Sequence, residues 1–517
     1  MKRLDVLLVV CLGTAFSPIV RAQGSSGVNN AELNGNYAFT FDGIDGANGA
    51  WNVFAAVGRF TADGAGNLTN GEMDTNGVDG GSTAQGFTGS YSIGADHRGT
   101  MTFNVAGATL KLAIAMLADG SAKFIKTDAA GGTGIIGSGS IEKSNPAAFN
   151  SAQITGEYAF GIAGQDNLNN RAAIAGRFTS NGAGALANVA GDVNAYGVVS
   201  PLTFTAASYT VSNTATGRGT MHLSFQFSGG AVGMDFVFYI VNSGKLFTMV
   251  NDAVTRATPL LNGTVQRQQI PAGGFSNASL NSNMVFYMTG LAACGNATGT
   301  IPKAVAGLLT GNGAGGFSLS FDENFCRAAR AVTNTPGTYS VGSNGRTTMA
   351  LNGDRVVGYL VGANEGFLFS ADPAVLSGFG EPQTAGAVPN SSVAGAYAGV
   401  ATDPTAFAVT VFSGEFSANG ANSTGNLTGQ VDIGDSAGSQ SGLPFAATYA
   451  VSSSPVNGRA LVNLTTPTGE VAVAYVVSAS KFVVVSLSDP NPTVWEFDRA
   501  PSGSTRRPRR THSPRWR

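Results

Sequence analysis

The feature that most restricts this chain is that it repeats itself four times. Opening segments LNGNYAFTF, ITGEYAFGI, LNSNMVFYM and VAGAYAGVA begin at Leu33, Ile154, Leu280 and Val393. Glycine-rich stretches GRFTADGAGNL, GRFTSNGAGAL, GLLTGNGAGGF and GEFSANGANSTGNL follow from Gly58, Gly176, Gly307 and Gly414. Each unit then carries an aspartate (Asp74, Asp192, Asp322, Asp432), a tyrosine in a GSYSI-like segment (Tyr91, Tyr209, Tyr339, Tyr449) and an arginine opening an RGTMTF-like run (Arg98, Arg218, Arg346, Arg459). Successive tyrosines lie 118, 130 and 110 residues apart, the length of a domain rather than of a solenoid repeat. The expected plan is four modules, at 32–144, 152–268, 278–378 and 391–499, joined by linkers rich in Pro, Ala, Asn and Ser.

Within a module the apolar period is two. Tyr37, Phe39 and Phe41 share one face while Ala38 and Thr40 take the other, and Leu223, Phe225 and Phe227 alternate with Ser224 and Gln226. Glycines, 72 in all, interrupt nearly every window long enough for a helix. The fold class is therefore all-β, with about eight strands per module. Short connections favour antiparallel neighbours, and an eight-stranded meander with one apolar face can close into an up-and-down barrel, which removes exposed edges. A two-sheet β-sandwich is the alternative. Late strands such as FVFYIV from Phe236 and KFVVVSL from Lys481 are apolar on both faces, which places them between layers or against a neighbour.

The glycine-rich stretches pose a choice between a ligand cradle and a bend. A phosphate cradle needs a following helix, and DGAGN is followed by another strand pattern. A calcium loop needs repeated carboxylates, whereas Asp63 becomes Asn181, Asn312 and Asn419. Asp or Asn followed by Gly is hairpin chemistry. Cys294 and Cys326 form an even pair, read as a disulfide between two loops at one end of module 3; closing that loop contributes roughly 3 to 4 kcal/mol on the chain-entropy argument.

Charge is sparse, at 12% of residues, and its distribution says more than the net value of −2. Residues 1–22 read as a signal peptide: Lys2 and Arg3, an apolar run from Val6 to Phe16, and a small-residue cleavage site at Ala22. Export follows, and Cys11 leaves lipid attachment open. Residues 500–517 form a basic tail without a packing pattern, expected to be disordered. The body between is acidic and has no basic stripe, which argues against nucleic-acid binding by the folded part. No later segment has the run of apolar residues that a membrane-spanning helix requires.

No catalytic residue, metal site or cofactor is expected. GDSAG, around Ser436, matches a serine-nucleophile pattern that a glycine-rich chain produces by chance, and His97, His222 and His512 do not recur between modules. Asp74 falls late on a third strand and Arg98 at the start of a fifth, opposite ends of a meander, so separate structural jobs are expected: Asp as a loop acceptor, Arg as a cap over the barrel floor. Tyr91 and its counterparts are expected in the core with a bonded hydroxyl.

The cadence L-x-G-x-Y-x-F, G-x-F-T-x-D/N-G-x-G, G-x-Y-x-V, G-R-G-T resembles a group of exported bacterial glycine-rich β-repeat proteins for which no activity is established. It covers nearly all of residues 32–499. The meander is similar to the avidin and lipocalin plan at the level of fold alone. The leading functional expectation is an exported, non-catalytic multi-module β protein in surface binding, adhesion or a structural role, its partner a cell-surface or extracellular polymer. A hydrolase acting on such a polymer and a small-molecule carrier with barrel cavities are the alternatives.

Overall fold

The structure, a computed structural model, describes residues 27–46, 51–128, 134–227, 230–295, 299–384, 388–402, 410–435, 438–453 and 457–502. Its strands form four closed eight-stranded antiparallel barrels in tandem. Barrel 1 runs through Asn34–Asp45, Asn52–Asp63, Asn67–Gly77, Ser82–Ile93, Arg98–Val105, Ala108–Met116, Ala122–Lys126 and Ile135–Lys143. Barrel 2 extends from Thr155–Gln165 to Leu260–Arg267, barrel 3 from Asn283–Ala293 to Val375–Pro382, and barrel 4 from Gly395–Thr402 to Val494–Arg499. In each, the first strand pairs with both the second and the eighth, so the barrel closes and no sandwich forms.

Alternation fills the interiors with rings. In barrel 1, Phe39, Phe41, Phe87, Phe103 and Phe124 pack against one another, with Phe87 and Phe103 centroids 4.4 Å apart. The space left inside is about 50 Å³ in barrel 1 and about 40 Å³ deep in barrel 4. At these levels the interiors are packed cores, with room for a water or two but not for a ligand.

The glycine-rich stretches are hairpins closed by their own Asx side chain. The Asp63 carboxylate accepts from the N–H groups of Ala65 and Asn67, and Asn181, Asn312 and Asn419 make the same pair of bonds in the other barrels. Gly64 and Gly66 sit at φ of 75° and 113°, left-handed values that a side chain would strain. At this hairpin end, a 3-10 turn that the sequence pattern does not announce precedes each first strand: Asn30–Glu32, Ser151–Gln153, Asn277–Ser279 and Asn390–Val393.

The barrels are not beads on a string. The outward faces of the early strands of one barrel meet the outward face of the sixth and seventh strands of the next. Ala38, Ala55 and Val57 join the cluster containing Val237, Tyr239 and Val241; Ala159, Ala173 and Ala175 meet Val357, Tyr359 and Val361; Val285, Ala304 and Ala306 meet Val473, Tyr475 and Val477. Barrel 4 completes the circuit on barrel 1 through Val400 and Val411 against Ala113 and Ile125, and through Ala398 and Ala500 against Ala115 and Leu117. Four head-to-tail contacts thus close a ring. This explains the strands apolar on both faces: Phe236 and Phe238 fill barrel 2, whereas Val237 and Tyr239, which alternate with them, are equally buried against barrel 1.

Candidate functional site

The recurrent aspartates and arginines are joined, but between modules. Arg218 donates to both Asp74 carboxylate oxygens, through Nε at 2.9 Å and Nη2 at 2.7 Å. Arg346 holds Asp192 and Arg459 holds Asp322 in the same two-pronged way, all at 2.7 Å. Arg98 closes the ring on Asp432 at 2.9 Å. The expectation of separate jobs for Asp and Arg is therefore corrected. The opposite-ends argument considers one module, whereas each pair forms with the next one. The loop-acceptor role coexists with this: Asp74 also accepts from the N–H of Ala84, and Asp432 from that of Gly442.

A third member of each staple is absent from the sequence reading. Tyr239, Tyr359 and Tyr475 stand directly across the strand pair from Arg218, Arg346 and Arg459, and each donates its hydroxyl to the same aspartate at 2.7 to 2.8 Å. Burial, reinforced by the adjacent carboxylate, pushes these phenols far above their ordinary pKa and keeps them donors. Two residues beyond the aspartate, Asn76, Asn194 and Asn324 donate to carbonyls of the next barrel.

Tyr91, Tyr209, Tyr339 and Tyr449 lie in the barrel cores and bond the 3-10 turns at the hairpin end. Their hydroxyls donate to the carbonyls of Leu33, Ile154, Leu280 and Asn390. Cys294 and Cys326 form a disulfide with Cα atoms 5.7 Å apart. The expectations for residues 1–22, Cys11, Ser436, His512 and residues 503–517 lie outside the described residues. Among the described residues no cluster of three or more His, Cys, Asp or Glu is arranged to hold a metal, and no helix is long and apolar enough to cross a membrane.

Two histidines have partners. His97 Nδ1 is 2.7 Å from Glu32. His222 forms a chain: Nδ1 is 2.6 Å from Asp235 Oδ1, and Nε2 is 2.8 Å from Ser224 Oγ. These are the distances of a nucleophile, base and orienting acid. The setting differs, because Asp235 and His222 have side chains 62% and 44% exposed and Ser224 lies on a strand paired on both sides. Its neighbouring N–H groups are committed to the ladder, leaving no donors aimed at an oxyanion. The chain is a surface hydrogen-bond relay.

One concave feature is lined by all four barrels and lies on the ring axis. A cavity of about 450 Å³ is bounded by residues of the first, seventh and eighth strands, with Ala173 to Ala175 of the second strand of barrel 2, and it adjoins a vestibule of about 480 Å³ at the hairpin end. The two share Lys123, Ser140, Glu142, Lys245, Lys481 and Glu496. Lys245 reaches Glu142 at 2.5 Å, Lys481 reaches Glu381 at 2.5 Å, and Lys123 lies 3.4 to 3.5 Å from Glu496 and Asp498. Tyr287 donates to Glu496. Burial pushes the Glu496 carboxyl up, but Lys481, Lys123 and the Tyr287 hydroxyl outweigh it and hold its pKa at about 2. Glu365 occupies the position held by lysine in barrels 2 and 4; burial and Glu381 raise its pKa. Deeper in, burial lifts Asp42 to about 6 against the pull of Asn262 and Arg171. Phe367 and Phe379, edge to face at 5.0 Å, supply an apolar wall. The arrangement offers fixed charges of both signs, hydroxyls and ring faces, and it can hold a polar ligand by several directed contacts.

The sequence reading assigned no binding role to these residues. Its missed signal was a lysine or glutamate heading otherwise apolar late strands, at Lys245, Glu365 and Lys481.

No protein-family model matches the chain, and no curated protein matches it in sequence. Among solved structures, it is similar to the vaccine antigen transferrin binding protein B from Haemophilus parasuis at 10% identity, over 89% of this chain and 75% of that one, with a TM-score of 0.15.

Proposed function

We propose that this is an exported, non-catalytic binding protein of the cell surface or extracellular space, and that the axial cavity holds a charged, hydroxyl-bearing segment of an extracellular polymer. The observation that carries this reading is the ion-paired cavity lined by side chains of all four barrels, within the size range of ligand sites. The Cys294–Cys326 disulfide favours an oxidising compartment. Because the four barrels share one cavity, the ligand is met once per ring rather than once per module.

The test uses the full chain. Oligosaccharides released from bacterial cell walls and extracellular polysaccharide are titrated calorimetrically into the wild type and into Glu496→Gln and Lys481→Met. The expected result is binding to at least one charged oligosaccharide, weakened at least tenfold in both variants, with no release of reducing ends. Binding that both variants retain in full, or bond cleavage lost on a single carboxylate change, rejects the reading.

A further inference from the structure

We infer that the loop end of barrel 4 is a second binding site, independent of the axial cavity, and that it takes a small organic cation with an aromatic or apolar body. The reason begins in the first strand. Its inward residues are Tyr37, Phe39 and Phe41 in barrel 1, Tyr158, Phe160 and Ile162 in barrel 2, and Met284, Phe286 and Met288 in barrel 3; in barrel 4 they are Tyr397, Gly399 and Ala401. Two large side chains are missing. The Phe497 ring fills the gap at Gly399, where an added Cβ would lie 2.3 Å from it. The level above stays open as a cavity of about 350 Å³ lined by Phe412, Phe445, Leu464 and Trp495, none of them fully buried.

The other barrels are closed differently. Barrel 1 keeps Phe41, Phe54 and Phe124 at this level, with the Phe41 ring 6.2 Å from Phe54 and 5.9 Å from Phe124. The loop end of barrel 2 carries the Arg256 guanidinium 5.2 Å over the Tyr196 ring, whose hydroxyl donates to the Arg256 carbonyl. The corresponding loops of barrel 3 are tied by the Cys294–Cys326 disulfide.

The barrel 4 mouth is also built rather than merely vacant. Asn324 of barrel 3 donates to the carbonyls of Ser486 and Asp489, the N–H of Asn491 donates to the Asp489 carboxylate, and the Trp495 indole donates to Thr493. These bonds fix the rim and set Trp495 edge to face with Phe412 at 4.7 Å.

Charge selects the ligand. Among the described residues lining the cavity, the ionisable side chains are Glu470 and Asp489, and none is basic. Burial, with Glu470 close by, raises the Asp489 pKa. A bound ammonium would pair with both carboxylates and offset these effects while meeting the electron-rich faces of Trp495 and Phe412. An anionic ligand would meet two carboxylates and no counter-charge.

Three probes of one shape separate the terms: phenethylammonium, 2-phenylethanol and 3-phenylpropionate, titrated calorimetrically at pH 7 into the full chain. Phenethylammonium is expected to bind at least tenfold more tightly than the other two. The Glu470→Gln, Asp489→Asn double variant, which alters only rim charge, removes that preference, and Trp495→Ala abolishes binding of all three. Lys481→Met, in the axial cavity, changes nothing. No binding by the wild type, equal binding of the three probes, an intact preference in the double variant, or a loss in Lys481→Met would each overturn the inference. Circular dichroism melts of each variant separate lost binding from lost fold.

Discussion

Three of the four contacts around the ring join barrels that are consecutive in the chain; the fourth joins barrel 4 to barrel 1, and it is built differently. Across the consecutive contacts the aspartate receives two prongs of arginine and a tyrosine hydroxyl. At the closing seam the tyrosine position is Ala115, and Arg98 divides its donors among Asp432, Gln430 and Asp96. Gly434 stands where Asn76, Asn194 and Asn324 cross the other contacts. The linkers repeat the contrast. Asn145, Gln269 and Thr384 donate their N–H groups to the carbonyls of Val241, Val361 and Val477, whereas the corresponding residue at the seam is Pro501, which has none. The seam uses Ala118 N–H to the Arg499 carbonyl instead. A contact between directly linked neighbours and the one between barrels 4 and 1 thus use different chemistry at matching positions.

The largest expected effect follows from the buried carboxylates. Asp322→Ala leaves the Arg459 charge without its partner and should cost about 3 to 5 kcal/mol of unfolding free energy. Asp432→Ala should cost clearly less, because Arg98 retains Asp96 and Gln430. Urea unfolding of both variants measures the difference, and equal losses would mean that the seam is as tightly stapled as the rest. Next in size is Tyr359→Phe, which deletes a hydroxyl donated to buried Asp192 and should cost about 1 to 2 kcal/mol, with Tyr239→Phe and Tyr475→Phe alike. A near-neutral result at all three would show that the arginine alone satisfies the carboxylate.

These contrasts also mark where the sequence was legible. Alternation at Tyr37, Phe39 and Phe41, turn chemistry at Asp63 to Gly66, and the Cys294–Cys326 pair are local or confined to one module, and each is visible in a string of letters. The staple is not, because Asp74 meets Arg218 across 144 residues and a module boundary. Its tyrosine was hidden by Ala115, which breaks the fourfold pattern that alignment relies on. The axial site was harder still. The lining of the cavity and its vestibule comes from outward positions that differ between barrels, Ser121, Lys245, Glu365 and Lys481, and outward charged residues on a single module read as a solvated face. Only ring closure turns that face inward.

A smaller effect should separate the seam from its siblings by pH. Glu415 lies there, where barrels 1 and 2 have Arg59 and Arg177, and one of its carboxylate oxygens is buried without a partner. Burial, with Asp96 and Glu32 nearby, pushes it up to about 8 against the attraction of Arg98. A carboxyl whose folded pKa exceeds its unfolded value, near 4.3, keeps a proton that the unfolded chain has lost. Stability should therefore fall as pH rises from about 4.5 to 8 and level off above. Glu415→Gln should flatten that slope in melts taken between pH 5 and 9. An unchanged slope assigns the titration to another group, such as Asp42.

The smallest signal is kinetic. Opening a consecutive contact leaves the two barrels tethered by a linker, which holds them at high effective concentration and favours rapid reclosure. Barrels 4 and 1 have no direct linker between them, so the seam's equilibrium lies further toward the open ring. Native-state hydrogen exchange reads this directly, since local openings differ in free energy across a structure. The Ala118 amide, bonded to Arg499 across the seam, should exchange faster than the amides of Asn145, Gln269 and Thr384, which cross the other three contacts. Asp432→Ala should widen that gap, because it weakens the seam alone, whereas Asp322→Ala should accelerate Thr384 first. If all four amides exchange together in the wild type and in both variants, the ring opens only by global unfolding, and the seam, for all its different chemistry, is no hinge.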